Sequence, residues 1–244
     1  MTDQRRGARP ASTSRPTGVP VPAERTLAED LLLLLFQPDS GTVAGEGTLY
    51  YVLAGAVLAD LGLGGHVRTG AGRLGSTTVA AVADHPPADL LLRASWEYVV
   101  DKPRGVQTVL PAIGPTLRES VLDRLLERGD LRRSTHMTLG LFKSSVIEAG
   151  DTERRSWLLG EVRAVLVDGV EPTARVAALA ALLYGSGALP QFDPNIPWTA
   201  AVIARAEALK EGSWGAGAAA EAVARTVTAT IINHVIVAAA RRRG

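Results

Sequence analysis

Residues 26–67, TLAEDLLLLLFQPDSGTVAGEGTLYYVLAGAVLADLGLGGHV, decide the fold. They read as two helices and the turn that joins them. Thr26 followed three residues later by Glu29 is a capping box: the hydroxyl accepts from a first-turn N–H and the glutamate reaches back to the cap. Glu29 and Asp30 put negative charge where a helix N-terminus favours it. Leu27, Leu31, Leu34 and Leu35 recur at helical spacing, and Leu32 and Leu33 widen the stripe over most of the circumference. Such a helix is buried on nearly all sides. Pro38, Asp39, Ser40 and Gly41 end it with turn chemistry. After a loop broken by Gly41, Gly45 and Gly47, a second helix places Leu49, Val52, Leu53, Ala56, Val57 and Leu61 on one face. Ala54, Gly55 and Ala59 are small enough for another helix to approach closely, which predicts an inner helix.

The composition favours the same architecture. Of 244 residues, 46% are hydrophobic but only 5% aromatic, so Leu, Val and Ala must fill the core, and helices suit them better than a β-sandwich. A net charge of +1 means that any electrostatic function rests on local patches. The absence of cysteine excludes disulfides, thiolate chemistry and zinc sites built on sulfur. No apolar segment follows the N-terminal arginines, so no signal peptide is expected. The longest apolar run, residues 226–240, is interrupted by Asn233 and His234 and is shorter than the roughly 20 residues that a spanning helix needs. A soluble, cytoplasmic protein is expected, with attachment to a membrane surface left open.

Residues 1–25 are rich in Pro, Thr, Ser, Gly and Arg without hydrophobic period, and read as a disordered basic arm carrying Arg5, Arg6, Arg9, Arg15 and Arg25. Residues 26–244 read as one domain. The stretch 62–84 alternates β-prone pieces with glycine turns, which predicts a hairpin. Pro86 and Pro87 open a helix to about residue 100, with Leu91, Ala94, Trp96 and Tyr98 inward. A short helix over 106–113 and a longer one over 116–128 follow, the latter burying Leu117, Val121, Leu122, Leu125 and Leu126, with Gly129 as its C-cap. A second hairpin is expected over residues 137–147. Its tip would carry Leu139, Leu141 and Phe142, and exposed apolar residues of that kind mark an interface. The remainder is helical: a helix capped by Asp151 and Thr152 and carrying Trp157, Leu158 and Val162, one begun by Pro172, one with Trp198, Val202 and Ala206, and a last one over 217–240. The fold class is therefore mainly α, a single globular helical domain with an inner helix bundle and one or two short β-hairpins.

Catalytic constellations are missing from this pattern. His66, His85, His136 and His234 are far apart, with no metal-ligand spacing. There is no GxSxG elbow and no phosphate loop. Glu119, Asp123 and Glu127 fall on one helix, but Arg118, Arg124 and Arg128 alternate with them, the signature of a solvated, charge-paired face. No enzyme, metal or cofactor is expected. A helix, LERGDL and then a hairpin is also how a winged helix reads, so residues 116–147 offer an alternative as a DNA-binding regulator whose arginines meet phosphates. Against nucleic acid, that helix carries as much acid as base, and residues that commonly read bases are scarce on it.

TLAEDLLLL, LAGAVLADLGLGGHV, TLRESVLDRLLERGDL, the apolar hairpin and PTARVAALAALLYGSGAL, in this order and spacing, resemble the Golgi phosphoprotein 3 family over residue 25 to the C-terminus. The divergence suggests a bacterial branch. The resemblance implies a mostly helical, non-enzymatic adaptor that is peripheral to membranes. It is similar to eukaryotic members that bind phosphatidylinositol 4-phosphate, so an anionic phospholipid is the expected partner. Those members hold the headgroup with a tryptophan and an arginine near the second helix and two arginines at the start of the TLRES-like helix, and a protruding apolar hairpin contributes to self-association. Carried over, the second helix-pair arginine falls on Arg118, the first near Pro115, the second-helix arginine on Ala54 and the tryptophan near Gly45. Arg118 is thus the one expected headgroup residue that is matched. Arg68, Arg73, Arg104 and the arm are the other cations in reach. Leu139, Leu141 and Phe142 become a membrane or self-association surface, and a protein cargo is a further possible partner.

Overall fold

The computed structural model describes residues 24–72, 76–138, 142–209 and 224–233. In chain order these form α1 (Leu27–Leu35), β1 (Phe36–Gln37), β2 (Thr42–Val43), α2 (Leu49–Leu63), β3 (Val67–Ala71), β4 (Thr77–Ala81), α3 (Leu90–Val100), β5 (Arg104–Gly105), α4 (Val106–Ile113), α5 (Leu117–Glu127), β6 (Leu131–Thr138) and β7 (Phe142–Ala149). Then come α6 (Arg154–Arg163), α7 (Ala174–Gly185), α8 (Ala200–Ala208) and a last helical segment, α9, over residues 224–233. The mainly helical class expected from the periodicity is what the chain adopts.

Every residue of α1 is buried, and α2 is buried over nearly its whole length. The capping box at Thr26 forms on both sides: Thr26 Oγ1 accepts from Glu29 N at 3.2 Å, and Thr26 N donates to a Glu29 carboxylate oxygen at 2.8 Å. The small residues of α2 serve the purpose their size suggests. A Cβ at Gly55 would run into Ile231 of α9 and Leu182 of α7, so glycine sets the distance at which those helices cross α2.

A fully buried α1 carries its two first-turn acids inside with it, and their neutralisation organises the packing. Asp30 is held by Arg154 of α6, at 2.7 and 3.0 Å, and by Arg175 of α7 at 2.9 Å. Arg128 Nε lies 2.7 Å from Glu29 Oε1, an electrostatic contact rather than an aligned hydrogen bond, and Arg124 approaches the other oxygen at 3.6 Å. Arg124 also grips Asp89 with two bonds of 2.7 and 3.0 Å. Burial pushes the Asp89 carboxyl up, but Arg124 and the backbone N–H groups of Leu91 and Leu92 outweigh it and hold it below the usual range. These pairs correct part of the expectation of a solvated face on α5: Arg118, Glu119, Asp123 and Glu127 are exposed, but Arg124 and Arg128 turn inward to Glu29 of α1 and Asp89 before α3. The cause is that a buried carboxylate left unpaired is far more costly than an exposed one.

The strands decorate this core. β1 and β2 form a tiny antiparallel ribbon. β3 and β4 form the expected first hairpin, which β5 extends to a third strand. β6 and β7 pair along their length, from Leu131 opposite Ala149 to Thr138 opposite Phe142. Leu139 and Leu141 lie outside the described residues, as does the side chain of Phe142, whose backbone opens β7. One inward assignment is corrected: Ala94 is exposed. Trp157 is 51% exposed because α6 docks through Leu158 and Val162, while the Trp157 ring carries the Arg154 guanidinium 4.6 Å from its centre. Trp198, just before α8, is exposed as well. Glu153, not Asp151 or Thr152, precedes the first turn of α6, and the Thr152 hydroxyl is drawn away to donate to Asp130 at 2.5 Å.

Candidate functional site

Arg118 stands on the first turn of α5, beyond the turn Gly114–Thr116. Gly114 packs so tightly on α2 that a Cβ there would strike the Tyr50 carbonyl, which fixes where α5 begins. Across from it, Gly45 adopts the left-handed conformation (φ 69°) that a glycine tolerates best and delivers Glu46 to the same mouth. Arg118 Nε donates to Glu46 Oε1 at 2.8 Å, with the two side chains 45% and 55% exposed.

The pair closes one side of a pocket of about 410 Å³ lined by Leu32, Phe36, Gly41, Thr42, Val43, Leu122, Leu131 and Ile147 besides the pair itself. Leu32, Phe36 and Leu131 form a buried floor, and Val43, Leu122 and Ile147 are half-buried walls. Gly41 (φ 66°) lets the β1–β2 turn press on β7, since a Cβ would come within 2.9 Å of the Ile147 carbonyl. The pocket thus joins α1 and the β1–β2 ribbon to α5 and the base of β6 and β7, two segments separated by 72 positions at Glu46 and Arg118.

A model of the family described as Golgi phosphoprotein 3 (GPP34) matches residues 27–226. The chain belongs to the Golgi phosphoprotein 3 family. No curated protein matches it. The positions carried over from the family separate in this Golgi phosphoprotein 3 fold. Gly45 and Arg118 meet at the pocket mouth through Glu46, and Pro115 is exposed on the turn leading into α5. Ala54 is fully buried inside α2, so a side chain at that position faces the core and not a ligand. Neither Arg68 nor Arg104 lines the pocket. Arg104 donates to the Tyr98 carbonyl at 2.7 Å and stacks on the Tyr98 ring, and Arg73 lies outside the described residues.

A larger cavity of about 950 Å³ opens between α2, α3 and the start of α7. Its charged walls belong to the fold. Asp60 accepts from Leu27 N at 2.5 Å and from Arg175 at 3.0 Å, and burial pushes its carboxyl up to about 7 against those two partners. Arg25 grips buried Asp130 from 2.8 Å, so the residue taken as the end of the arm is tied to the domain. Beside the cavity the structure also corrects the reading of scattered histidines: the rings of His66 and His85 lie 4.4 Å apart, and His66 Nδ1 is 2.9 Å from the His85 carbonyl. The contact of β3's start with the loop before α3 creates this pair, and only that folding could reveal it. Among the described residues no three metal-capable side chains gather, and His234 and the side chain of His136 lie outside them.

The family resemblance singled out Arg118 as a candidate, and sequence reasoning did not single out Glu46 or the apolar walls beside it. Glu46 carried no signal because it sits in a glycine loop 72 residues away. Arg124 and Arg128, which a winged helix would present to DNA, are spent on Asp89 and Glu29. Arg132 and Arg133 of β6 lie near Glu148 and Asp123.

Proposed function

We propose that this chain is a non-enzymatic peripheral membrane adaptor that engages anionic phospholipid headgroups, phosphatidylinositol 4-phosphate among them, through Arg118. The observation that carries the reading is the placement of Arg118: it is the cation at the mouth of an open pocket, restrained by one half-exposed carboxylate. Exposed ion pairs of this kind contribute only about 0–1 kcal/mol, so a phosphate can displace Glu46 at little cost. Family membership supports the same reading. No described helix is long and apolar enough to cross a membrane, which is compatible with surface attachment.

Co-sedimentation with phosphatidylcholine vesicles, with and without anionic lipid, tests it. Wild-type protein is expected to bind anionic vesicles and to lose binding as salt rises, because exposed charges are screened beyond about 8–10 Å at physiological ionic strength. Arg118→Glu is expected to lose most of that binding. Equal binding by the variant overturns the proposal.

A further inference from the structure

The Arg118 pocket is chemically lopsided for a headgroup site. Its polar side chains are Thr42, Glu46 and Arg118, and the Thr42 hydroxyl already shares a hydrogen bond of 2.7 Å with Ser40. The other six side chains on its walls and floor are apolar: Leu32, Phe36, Val43, Leu122, Leu131 and Ile147. A polyhydroxylated ring entering such a space would give up hydrogen bonds to water without replacement, and each unpaired polar group carries a penalty. A hydrocarbon segment loses nothing there and gains by leaving water. The volume, about 410 Å³, lies within the roughly 300–1,000 Å³ of small-molecule sites.

We propose that this pocket takes one chain of an anionic lipid, with the lipid's phosphate on Arg118 in place of Glu46 and the first part of that chain between Val43, Leu122 and Ile147 over Phe36. The occupant comes from the lipid surface and not from free phosphate, because one guanidinium opposed by a carboxylate is a poor site for an anion alone. Val43 and Ile147 place the chain beside the base of the β6–β7 ribbon. The inference rests on the lipid-binding reading and narrows it: the chain, more than the headgroup, supplies selectivity.

Binding of the full chain to a series of soluble phosphates tests this by calorimetry: inorganic phosphate, an inositol monophosphate, and butyl, hexyl and octyl phosphate. Affinity is expected to rise about fourfold with each methylene that enters the pocket, until the pocket is full. Inorganic phosphate and the inositol phosphate are expected to bind at least tenfold more weakly than octyl phosphate. Arg118→Glu should weaken every alkyl phosphate. Val43→Thr, nearly the same shape with one hydroxyl, should flatten the dependence on chain length without altering the thermal midpoint. An affinity independent of chain length, an inositol phosphate equal to octyl phosphate, no alkyl phosphate binding at millimolar concentration, or a chain dependence untouched by both variants each overturns the inference. If vesicle binding then still depends on Arg118, the proposed function stands without it. If vesicle binding ignores Arg118, the function itself has failed.

Discussion

Glu46 is the residue most exposed to test at the scale of single side chains, because its carboxylate occupies the Arg118 guanidinium as a ligand's anion would. Glu46→Gln removes that competitor from a half-exposed pair and leaves the fold untouched. Up to about fivefold tighter binding to anionic vesicles is expected, corresponding to the roughly 0–1 kcal/mol of an exposed pair, and weaker binding would show that Glu46 helps hold the ligand. Asp60 makes the opposite case, a carboxyl deep in the fold. Burial is the largest influence on it and raises its pKa from 3.8 to about 7, against the lowering effects of Arg175 and Leu27 N. Its sign follows from which state holds the proton. Below the unfolded value both states are protonated and the contribution to stability is fully present. As pH climbs toward 7 the unfolded chain has released its proton while the folded chain still holds it, so stability falls. Asp60→Asn removes this loss. In urea titrations the midpoint of the variant, relative to wild type, should rise between about pH 4 and pH 7 and then level off; a constant difference would mean that Asp60 stays ionised beside Arg175.

Two elements illustrate how the same physics gives different legibility. The burial of α1 was readable from its leucines and its cap, because a helix apolar over most of its circumference has no alternative but the interior. The β6–β7 ribbon was readable as a hairpin from alternation, yet its purpose was not. Two strands alone are marginal in water, and among the described residues β6 and β7 pair only with each other. We therefore expect the far end of the ribbon to be an association or membrane surface. The double variant Leu141→Ser with Phe142→Ser should fold with an unchanged thermal midpoint and show either a lower mass in sedimentation or weaker vesicle binding. A loss of several kcal/mol of stability would place these side chains inside the domain instead. An unchanged midpoint with unchanged mass and lipid affinity would end the proposal.

For the whole molecule, the buried charges set what truncation can remove. Residues 1–21 hold too few apolar side chains to build a core, so their deletion is expected to leave the melting temperature within a degree or two. Arg25→Ala is different, because it strips the guanidinium from Asp130, whose side chain is wholly buried. Removing one partner of a buried pair costs on the order of 3 kcal/mol, or roughly 6–12 °C for a chain of this size; a calorimetric scan in which the deletion melts earlier than Arg25→Ala would reverse this division. Periodicity, caps and turn residues determined by themselves the helical class, the inner pair α1 and α2 and both main hairpins, since each of these is a local pattern that meets the same demand in any fold that buries it; Arg118 became a candidate only through the family resemblance. Only the tertiary structure decided that Arg124 and Arg128 serve Glu29 and Asp89, that His66 meets His85, and that Glu46 and six apolar side chains share a pocket with Arg118. Charge pairing and pocket walls depend on which distant segments are pressed together to bury α1, and a linear pattern carries no record of that choice.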